Sequence, residues 1–189
     1  MTKYIYAFDE GQKSMKDLLG GKGANLAEMK RLGLPVPDGF TLTTEACIEY
    51  LKHGSKVPEA LSEQLNSQLA AFSQRTEKSF SSEEQLLLVS VRSGAKISMP
   101  GMMDTILNLG LNDDNVKKLA AKTNDARFAY DCYRRLLQMF GEVVYGIPMN
   151  AFDTYFNAYK TQHEYQNDAD IPAEGLQEIC EHFKGVYLD

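Results

Sequence analysis

The sequence predicts an α/β (α+β) chain up to about residue 111, followed by a helical part that runs from 112 to 189. Two apolar runs rich in aromatic and β-branched residues, at 4–8 and at 86–92 (LLLVSVR), are typical of strands. Between 125 and 145 the apolar side chains instead recur every three or four residues, which is typical of an amphipathic helix. The pattern changes after Asn112-Asp113-Asp114, so we expect a domain boundary there.

The first part alternates short strands with helices. The expected elements, in order, are a strand at 4–8, a polar loop ending in Gly20-Gly21-Lys22-Gly23, a helix from Ala24, a strand at 39–42, a helix to about His53 and a helix over 58–80. Gly33 stands where a glycine ends a helix, and Thr43 or Thr44 is a suitable N-cap. The spacing of Leu61, Leu65, Leu69 and Phe72 predicts one apolar stripe.

The strand at 86–92 is the clearest, since its continuous apolar run is typical of a strand covered on both faces. We interpret 93–104 as an ordered loop. The expected helices after it are 114–122, 125–145, 150–161 and 172–184, the second with an apolar stripe of Phe128, Cys132, Leu136, Met139, Phe140 and Val143. The last five residues, 185–189, have the character of a fold that continues, so we expect an incomplete fold at the C-terminus.

Composition excludes several classes of protein. The net charge is −6, the pI is near 5.2 and no block of Lys and Arg occurs, so a general nucleic-acid surface is not expected. No apolar run approaches the length of a membrane span, and the N-terminus lacks the pattern of a signal peptide. The three cysteines form no CxxC pair, which is typical of reduced thiols. We therefore expect a cytoplasmic protein without nucleic-acid or membrane partners.

The glycine turn at 20–23 is the first candidate site. Its glycines allow the backbone to approach a ligand closely, and the helix start that follows offers free N–H groups. Lys22 adds a mobile positive charge suited to a phosphate. The pattern is not a Walker A loop, because no glycine stands five residues before Gly21. The alternative interpretation is a tight turn carrying a solvated lysine.

Arg92 is the second candidate. It ends the strand at 86–92, so its guanidinium is expected at the carboxyl edge of a sheet, where α/β proteins bind ligands. A planar guanidinium holds two phosphate oxygens at once. The alternative is an arginine that pairs with a nearby carboxylate at a strand end.

The remaining candidates carry less chemistry. Three methionines, Met99, Met102 and Met103, stand in the loop at 98–104, where they fit a nucleobase, a partner domain or plain core filling. His53, His163 and His182 lack partners at triad or metal spacing, so we interpret them as surface residues. Asp113 and Asp114 are expected to cap a helix, and no metal site is predicted.

Five segments resemble the N-terminus of the pyruvate, phosphate dikinases, in order and in register over 8–146. They are GGKGANLAEM, GLPVPDGFTLTTEAC, LLVSVRSGA, SMPGMMDTILNLGLND and RFAYDCYRRLLQMFGEVVYG. Phosphoenolpyruvate synthases share the Gly-Gly-Lys-Gly and Val-Arg-Ser elements but differ at the methionine loop. The loop sequence therefore favours the dikinase family.

The resemblance implies the first lobe of an ATP-grasp nucleotide-binding domain with a helical insertion. In that family two α/β lobes close over Mg·ATP, and the residues matching Lys22 and Arg92 contact its phosphates. It implies a catalytic role for Arg92 and a place for Met103 in the nucleotide pocket. The full reaction of the family interconverts ATP, phosphate and pyruvate with AMP, diphosphate and phosphoenolpyruvate.

No segment of this sequence matches the family's second ATP lobe with its Mg²⁺ ligands, its phosphohistidine motif or its pyruvate site. The leading hypothesis is therefore the ATP-binding N-terminal part of a dikinase, inactive alone, with ATP and the remaining dikinase domains as partners. The alternatives are a stand-alone nucleotide-binding or interaction module that has lost the chemistry, and a folded domain without a ligand. An exposed apolar face would also allow a homo-oligomer.

Overall fold

The computed structural model describes residues 2–82, 84–94 and 104–188. Within these residues the chain has seven α-helices and four short strands. The helices are α1 (Lys16–Arg31), α2 (Thr44–Lys52), α3 (Glu59–Thr76), α4 (Asn115–Thr123), α5 (Ala126–Tyr145), α6 (Met149–Gln162) and α7 (Ala173–Gly185). The strands are β1 (Ile5–Ala7), β2 (Phe40–Leu42), β3 (Val89–Arg92) and β4 (Thr105–Leu109). The predicted mixed α/β class is confirmed.

The chain forms two compact units. The first contains the described residues up to Lys78 together with Ser93 and Gly94, and the second contains the described parts of 79–92 and 104–188. The β3–β4 hairpin thus groups with the helices that follow it. The domain boundary expected between residues 111 and 112 stays a prediction.

The first unit is a small sheet covered by helices. β1 and β2 pair antiparallel, with Ile5 opposite Leu42 and Ala7 opposite Phe40. The predicted stripe of α3 covers the sheet, since Leu61 packs with Ile5 in the core. Phe72 from the same stripe meets the Phe40 ring edge-on at 6.0 Å. These contacts follow from the period of the apolar residues in 58–76.

Two predicted helix caps are present in this unit, and one helix ends earlier than predicted. The Thr43 hydroxyl accepts a hydrogen bond of 3.1 Å from the Ala46 backbone N–H, which fixes the start of α2. Gly33 has a φ of +74° just beyond α1, as a glycine cap requires. Glu77, with a φ of +55°, ends α3 at Thr76, earlier than the predicted residue 80.

The second unit opens with a hairpin that corrects one prediction. β3 and β4 pair antiparallel, with Val89 opposite Leu109 and Arg92 opposite Thr105. β3 is not covered on both faces, since Val91 is 47% exposed. The buried part of the apolar run is Leu87, which precedes the strand. An apolar run shows that some of its residues are buried, but it does not fix which ones.

The helices of this unit pack around α5. Ala129, Tyr133 and Leu136 on α5 join Val116 of α4 and Cys180 of α7 in one buried cluster. A second cluster joins α6 and α7 and includes, as its fully buried members, Phe152, Ile171, Leu176, Ile179 and Phe183. The predicted stripe of α5 is therefore shifted. Leu136 is buried as expected, but Phe128 is 47% exposed because the buried face begins one residue later, at Ala129.

The start of α4 corrects a second prediction. The side-chain oxygen of Asn112 accepts hydrogen bonds from the backbone N–H groups of Asp114 (3.0 Å) and Asn115 (2.7 Å). Asn112 therefore fills the capping role expected of Asp113 and Asp114. Asp113 instead accepts hydrogen bonds from Lys184 Nζ (2.9 Å) and from the Tyr133 hydroxyl (3.1 Å).

The Asp113 cluster predicts a pH effect. The hydrogen bond from Lys184 and, secondarily, that from Tyr133 lower the pKa of Asp113 below its ordinary value of 3.8. Because the pKa is lower in the folded state, the ionised Asp113 stabilises the fold at a pH above 3.8. This stability is lost as the pH falls through the pKa of Asp113 in the folded state. We expect Asp113→Asn to destabilise the chain at neutral pH by at most about 1 kcal/mol, because the pair is exposed. Urea unfolding measured between neutral and acidic pH should show the free energies of unfolding of the wild type and Asp113→Asn converging as the pH falls below 3.8. A difference that persists in acid would contradict this account.

Cys47, Cys132 and Cys180 are free cysteines: Cys47 is exposed, Cys132 is half-buried and Cys180 is buried. In the part of the chain that the structure describes, no helix has the length and apolar character needed to cross a bilayer.

Candidate functional site

The glycine turn lies inside α1 rather than in a loop before it. Helical structure already begins at Lys16, and Gly20 interrupts it with a φ of 70° and a ψ of 168°. A second helical segment starts directly after that break. The helix start expected at Ala24 is therefore wrong: helical structure begins at Lys16, and its second segment begins at Gly21, because a single glycine breaks the helix without opening a loop. Lys22 lies in the first turn of the second segment.

The glycines of this turn are required for different reasons. Gly20 adopts a backbone conformation that is essentially restricted to glycine. Gly23 packs against β2, where an added Cβ would lie 2.8 Å from Thr41 Cγ2. Gly21 has neither constraint, since its nearest neighbour would be Lys16 Cε at 3.6 Å, an ordinary contact. Neither the backbone conformation nor the packing therefore requires a glycine at position 21. Its missing side chain leaves open space beside the helix start.

Two lysines lie beside this space. Lys22 is half-buried and forms no ion pair or hydrogen bond with any described residue. Lys16 comes close to Gly21 through its side chain and was not among the predicted residues. The sequence gives little indication that Lys16 belongs to this site. Lys16 and Gly21 are five positions apart, and only the break at Gly20 brings them together.

The position of this segment is fixed by hydrogen bonds from neighbouring elements. The Thr44 hydroxyl, at the start of α2, donates to the Asp17 carbonyl at 2.8 Å. Farther along α1, Glu28 accepts from the Lys13 backbone N–H at 3.2 Å and from Arg31. Both ends of α1 are thereby anchored within the first unit.

Arg92 ends β3 in the second unit, as predicted. Its side chain is exposed, and its Nε donates a long hydrogen bond of 3.4 Å to Ser90 Oγ. No carboxylate among the described residues pairs with it. The alternative interpretation, a strand-end arginine held by a carboxylate, therefore has no support in the described part of the chain.

The other predicted residues divide into two groups. Met103, together with Met99 and Met102, lies outside the described residues. The three histidines are exposed, as expected: His182 stacks on Tyr155 at 3.5 Å and His163 stacks on Tyr159 at 4.3 Å. Within residues 2–82, 84–94 and 104–188, no three His, Cys, Asp or Glu side chains converge as metal ligands.

Part of the chain matches a known protein family. A family model described as the AMP/ATP-binding domain of pyruvate phosphate dikinase matches residues 16–71. The match begins at Lys16 and contains the glycine turn with Lys22, so the segment with the unexplained space belongs to the matched region. Residues 16–71 are therefore similar to a nucleotide-binding domain.

The relatives that the chain resembles are pyruvate, phosphate dikinases. The chain is 50% identical over 189 residues to a pyruvate, phosphate dikinase of Clostridium symbiosum, covering 100% of this chain and 22% of the relative. It is 52% identical over 191 residues to the chloroplastic pyruvate, phosphate dikinase 1 of Arabidopsis thaliana, covering 99% of this chain and 20% of the relative. For the enzyme of Giardia intestinalis the identity is 47% over 192 residues, covering 98% and 22%.

These matches confirm the resemblance. The chain matches the N-terminal AMP/ATP-binding domain of the pyruvate, phosphate dikinases at about 50% identity. It spans about a fifth of the length of these curated relatives.

Proposed function

We propose that this chain supplies one wall of the Mg·ATP site of a pyruvate, phosphate dikinase, with Lys22 and Arg92 contacting the nucleotide phosphates. The complete enzyme would convert ATP, pyruvate and phosphate to AMP, phosphoenolpyruvate and diphosphate. The chain alone is inactive in this proposal, because the phosphohistidine and the pyruvate site of the family have no counterpart in its sequence.

One observation carries the proposal. Gly21 has no conformational or packing requirement for glycine, yet it lies next to Lys22, which has no partner among the described residues. Space for close backbone approach, N–H groups at a helix start and an unpaired ammonium are the features that bind a phosphate. A solvated lysine in a tight turn, the alternative interpretation, leaves the open face of Gly21 without a reason.

Each group has a separate part in holding the phosphates. The segment after Gly20 directs backbone N–H groups and the positive end of its dipole towards the ligand. Lys22 contributes a mobile point charge, whereas the Arg92 guanidinium binds two oxygens of one phosphate and stabilises charge that develops during transfer. Met103 belongs to the wall of the nucleotide pocket in this proposal.

The metal and the fold complete the proposal. Mg²⁺ would neutralise and orient the phosphates, and its ligands are expected on the second ATP-grasp lobe of the complete enzyme. In the same proposal the first part of the chain is the N-terminal ATP-grasp lobe, and the part from 112 onwards is its helical insertion. We also propose a cytoplasmic location, although some of the relatives are named as chloroplastic.

A substitution at Gly21 tests the role of its open space. We expect Gly21→Val to leave the free energy of unfolding within about 0.5 kcal/mol of the wild type, since a Cβ added there makes only an ordinary contact of 3.6 Å with Lys16 Cε, the end of a flexible side chain. The same change should weaken Mg·ATP binding by about tenfold or more, because the side chain fills the space of the phosphate. Chemical shift changes of the α1 amide groups during an Mg·ATP titration measure the affinity.

Gly185→Val is the matched control. An added Cβ at Gly185 also meets nothing within 4 Å, but Gly185 lies at the end of α7 in the other unit. This variant should retain the wild-type affinity for Mg·ATP. Unchanged binding by Gly21→Val, with the α1 amides still shifting on titration, would refute a phosphate at this position.

A further inference from the structure

An apolar cavity in the second unit has no part in the proposed nucleotide site. It measures about 400 Å³ and is formed by β4, α5 and the segment after α7. Its apolar walls are Leu109, Leu111, Leu136, Leu137 and Phe140. A volume of this size is typical of a pocket for a small molecule.

The aromatic side of the cavity is held in place from within the unit. The Tyr187 hydroxyl donates a hydrogen bond to the Leu137 carbonyl, which ties the segment after α7 to α5. The Tyr187 ring meets the ring of Tyr145 edge-on at 5.5 Å. Tyr145, which is 66% exposed, stands at the rim and shows that the cavity opens to solvent. A ligand would therefore meet preformed walls, at little cost in ordering.

The polar groups at the rim indicate the charge of the ligand. Lys184 lines the cavity and already donates to Asp113 at 2.9 Å and to Glu181 at 2.7 Å. Two carboxylates against one ammonium leave this end with a net negative charge, which disfavours an anion. Asn112 also lines the rim, and its amide nitrogen donates no hydrogen bond to a described residue. That nitrogen is a neutral donor suited to one polar group of a ligand.

From these features we propose that the cavity binds a neutral aromatic compound of one or two rings with a single hydrogen-bonding group. The rings pack against the leucines and Phe140, and edge-on against Tyr145 and Tyr187. The polar group faces Asn112 and Lys184 at the rim. The ligand covers apolar surface that otherwise contacts water, which supplies the driving force for binding.

The test uses 2-naphthol as the probe and the whole chain with labelled leucine methyl groups. We expect saturable shifts of the Leu109, Leu111, Leu136 and Leu137 methyls, with Leu51, which is 63% exposed in the first unit, unaffected. Tyr145→Ala should weaken the binding about tenfold, because it removes one of the aromatic rings that line the cavity. Tyr145 is exposed, so its loss should not disturb the fold. Leu137→Trp, which fills the cavity, should abolish the shifts in a protein shown by circular dichroism to be folded.

Two controls define the chemistry of the site. Phe128→Ala changes an exposed aromatic residue on the same helix outside the cavity and should leave the affinity unchanged. 2-Naphthoate, the anionic analogue, should bind more weakly than 2-naphthol. The proposal is overturned by the absence of saturable shifts up to the solubility limit, by equal binding to Tyr145→Ala, or by tighter binding of the anion.

Discussion

Replacing Phe152 by alanine is expected to lower the free energy of unfolding by about 3–5 kcal/mol. Phe152 lies on α6 and is fully buried against α5 and α7, with its ring centre 5.0 Å from that of Phe183. The ring also lies directly against α5, because a Cβ added at Gly141 would come within 2.6 Å of it. The packing of α5 and α7 against α6 prevents the space left by the ring from collapsing fully. Urea unfolding followed by circular dichroism measures the loss.

Phe128→Ala provides the control for this prediction. Phe128 lies on α5 but is 47% exposed, so its removal should cost about 1 kcal/mol or less. Similar losses for the two variants would mean that the core does not lie between α5, α6 and α7.

The second large effect is expected from Arg134, whose guanidinium is buried. Arg134 donates to Asp131 Oδ1 at 2.8 and 3.1 Å and to Gln138 Oε1 at 3.1 Å, and it lies 4.6 Å from the centre of the Phe156 ring. Arg134→Ala removes the buried partner of Asp131, which is itself only 16% exposed at its side chain. We expect a loss of about 3 kcal/mol in the free energy of unfolding.

The neighbouring arginine gives a matched comparison with the same carboxylate. Arg135 pairs with the other oxygen of Asp131 at 3.0 Å, but its side chain is 55% exposed. Arg135→Ala should therefore cost at most about 1 kcal/mol. Urea unfolding of the two single variants measures the difference, and equal losses would show that burial does not set the strength of these ion pairs.

Local chemistry explains why most helices could be predicted from the sequence. The start of α2 at Thr43 and the end of α1 before Gly33 depend on the residue at the cap and its nearest neighbours. α6 and α7 follow from the spacing of their own apolar residues. The prediction of the α4 cap was wrong because Asn112, Asp113 and Asp114 are all suitable cap residues. Asn112 is the cap in the structure, whereas Asp113 accepts a hydrogen bond from the distant Lys184.

Features that depend on distant parts of the chain could not be predicted. β4 was not anticipated, because its pairing partner β3 and not its own pattern makes it a strand. The partial exposure of β3 depends on that same two-stranded pairing. The break at Gly20 is also invisible in the spacing of α1, because helical structure continues on both sides of it.

The candidate site shows the same division. Residue type and position singled out Lys22 and Arg92, since a lysine beside glycines at a helix start and an arginine at a strand end can both contact a phosphate. The sequence could not distinguish Gly21 from its neighbours, because that distinction requires the position of Thr41 on β2. Nor could it indicate Lys16, which approaches Gly21 only through the break in α1.

The central claim is that this chain forms part of a phosphate-binding site for ATP, and calorimetry tests it most directly. Mg·ATP should be titrated into the wild-type chain, Arg92→Ala and the control Lys118→Ala. We expect weak saturable binding, with a Kd above about 1 μM, that is retained by the control and lost in Arg92→Ala. In the proposal the Mg²⁺ ligands belong to the second ATP-grasp lobe, so we expect the binding to be weak, since each missing charge-assisted hydrogen bond costs about 1.5–3 kcal/mol. Binding by Arg92→Ala that equals the wild type would contradict the account.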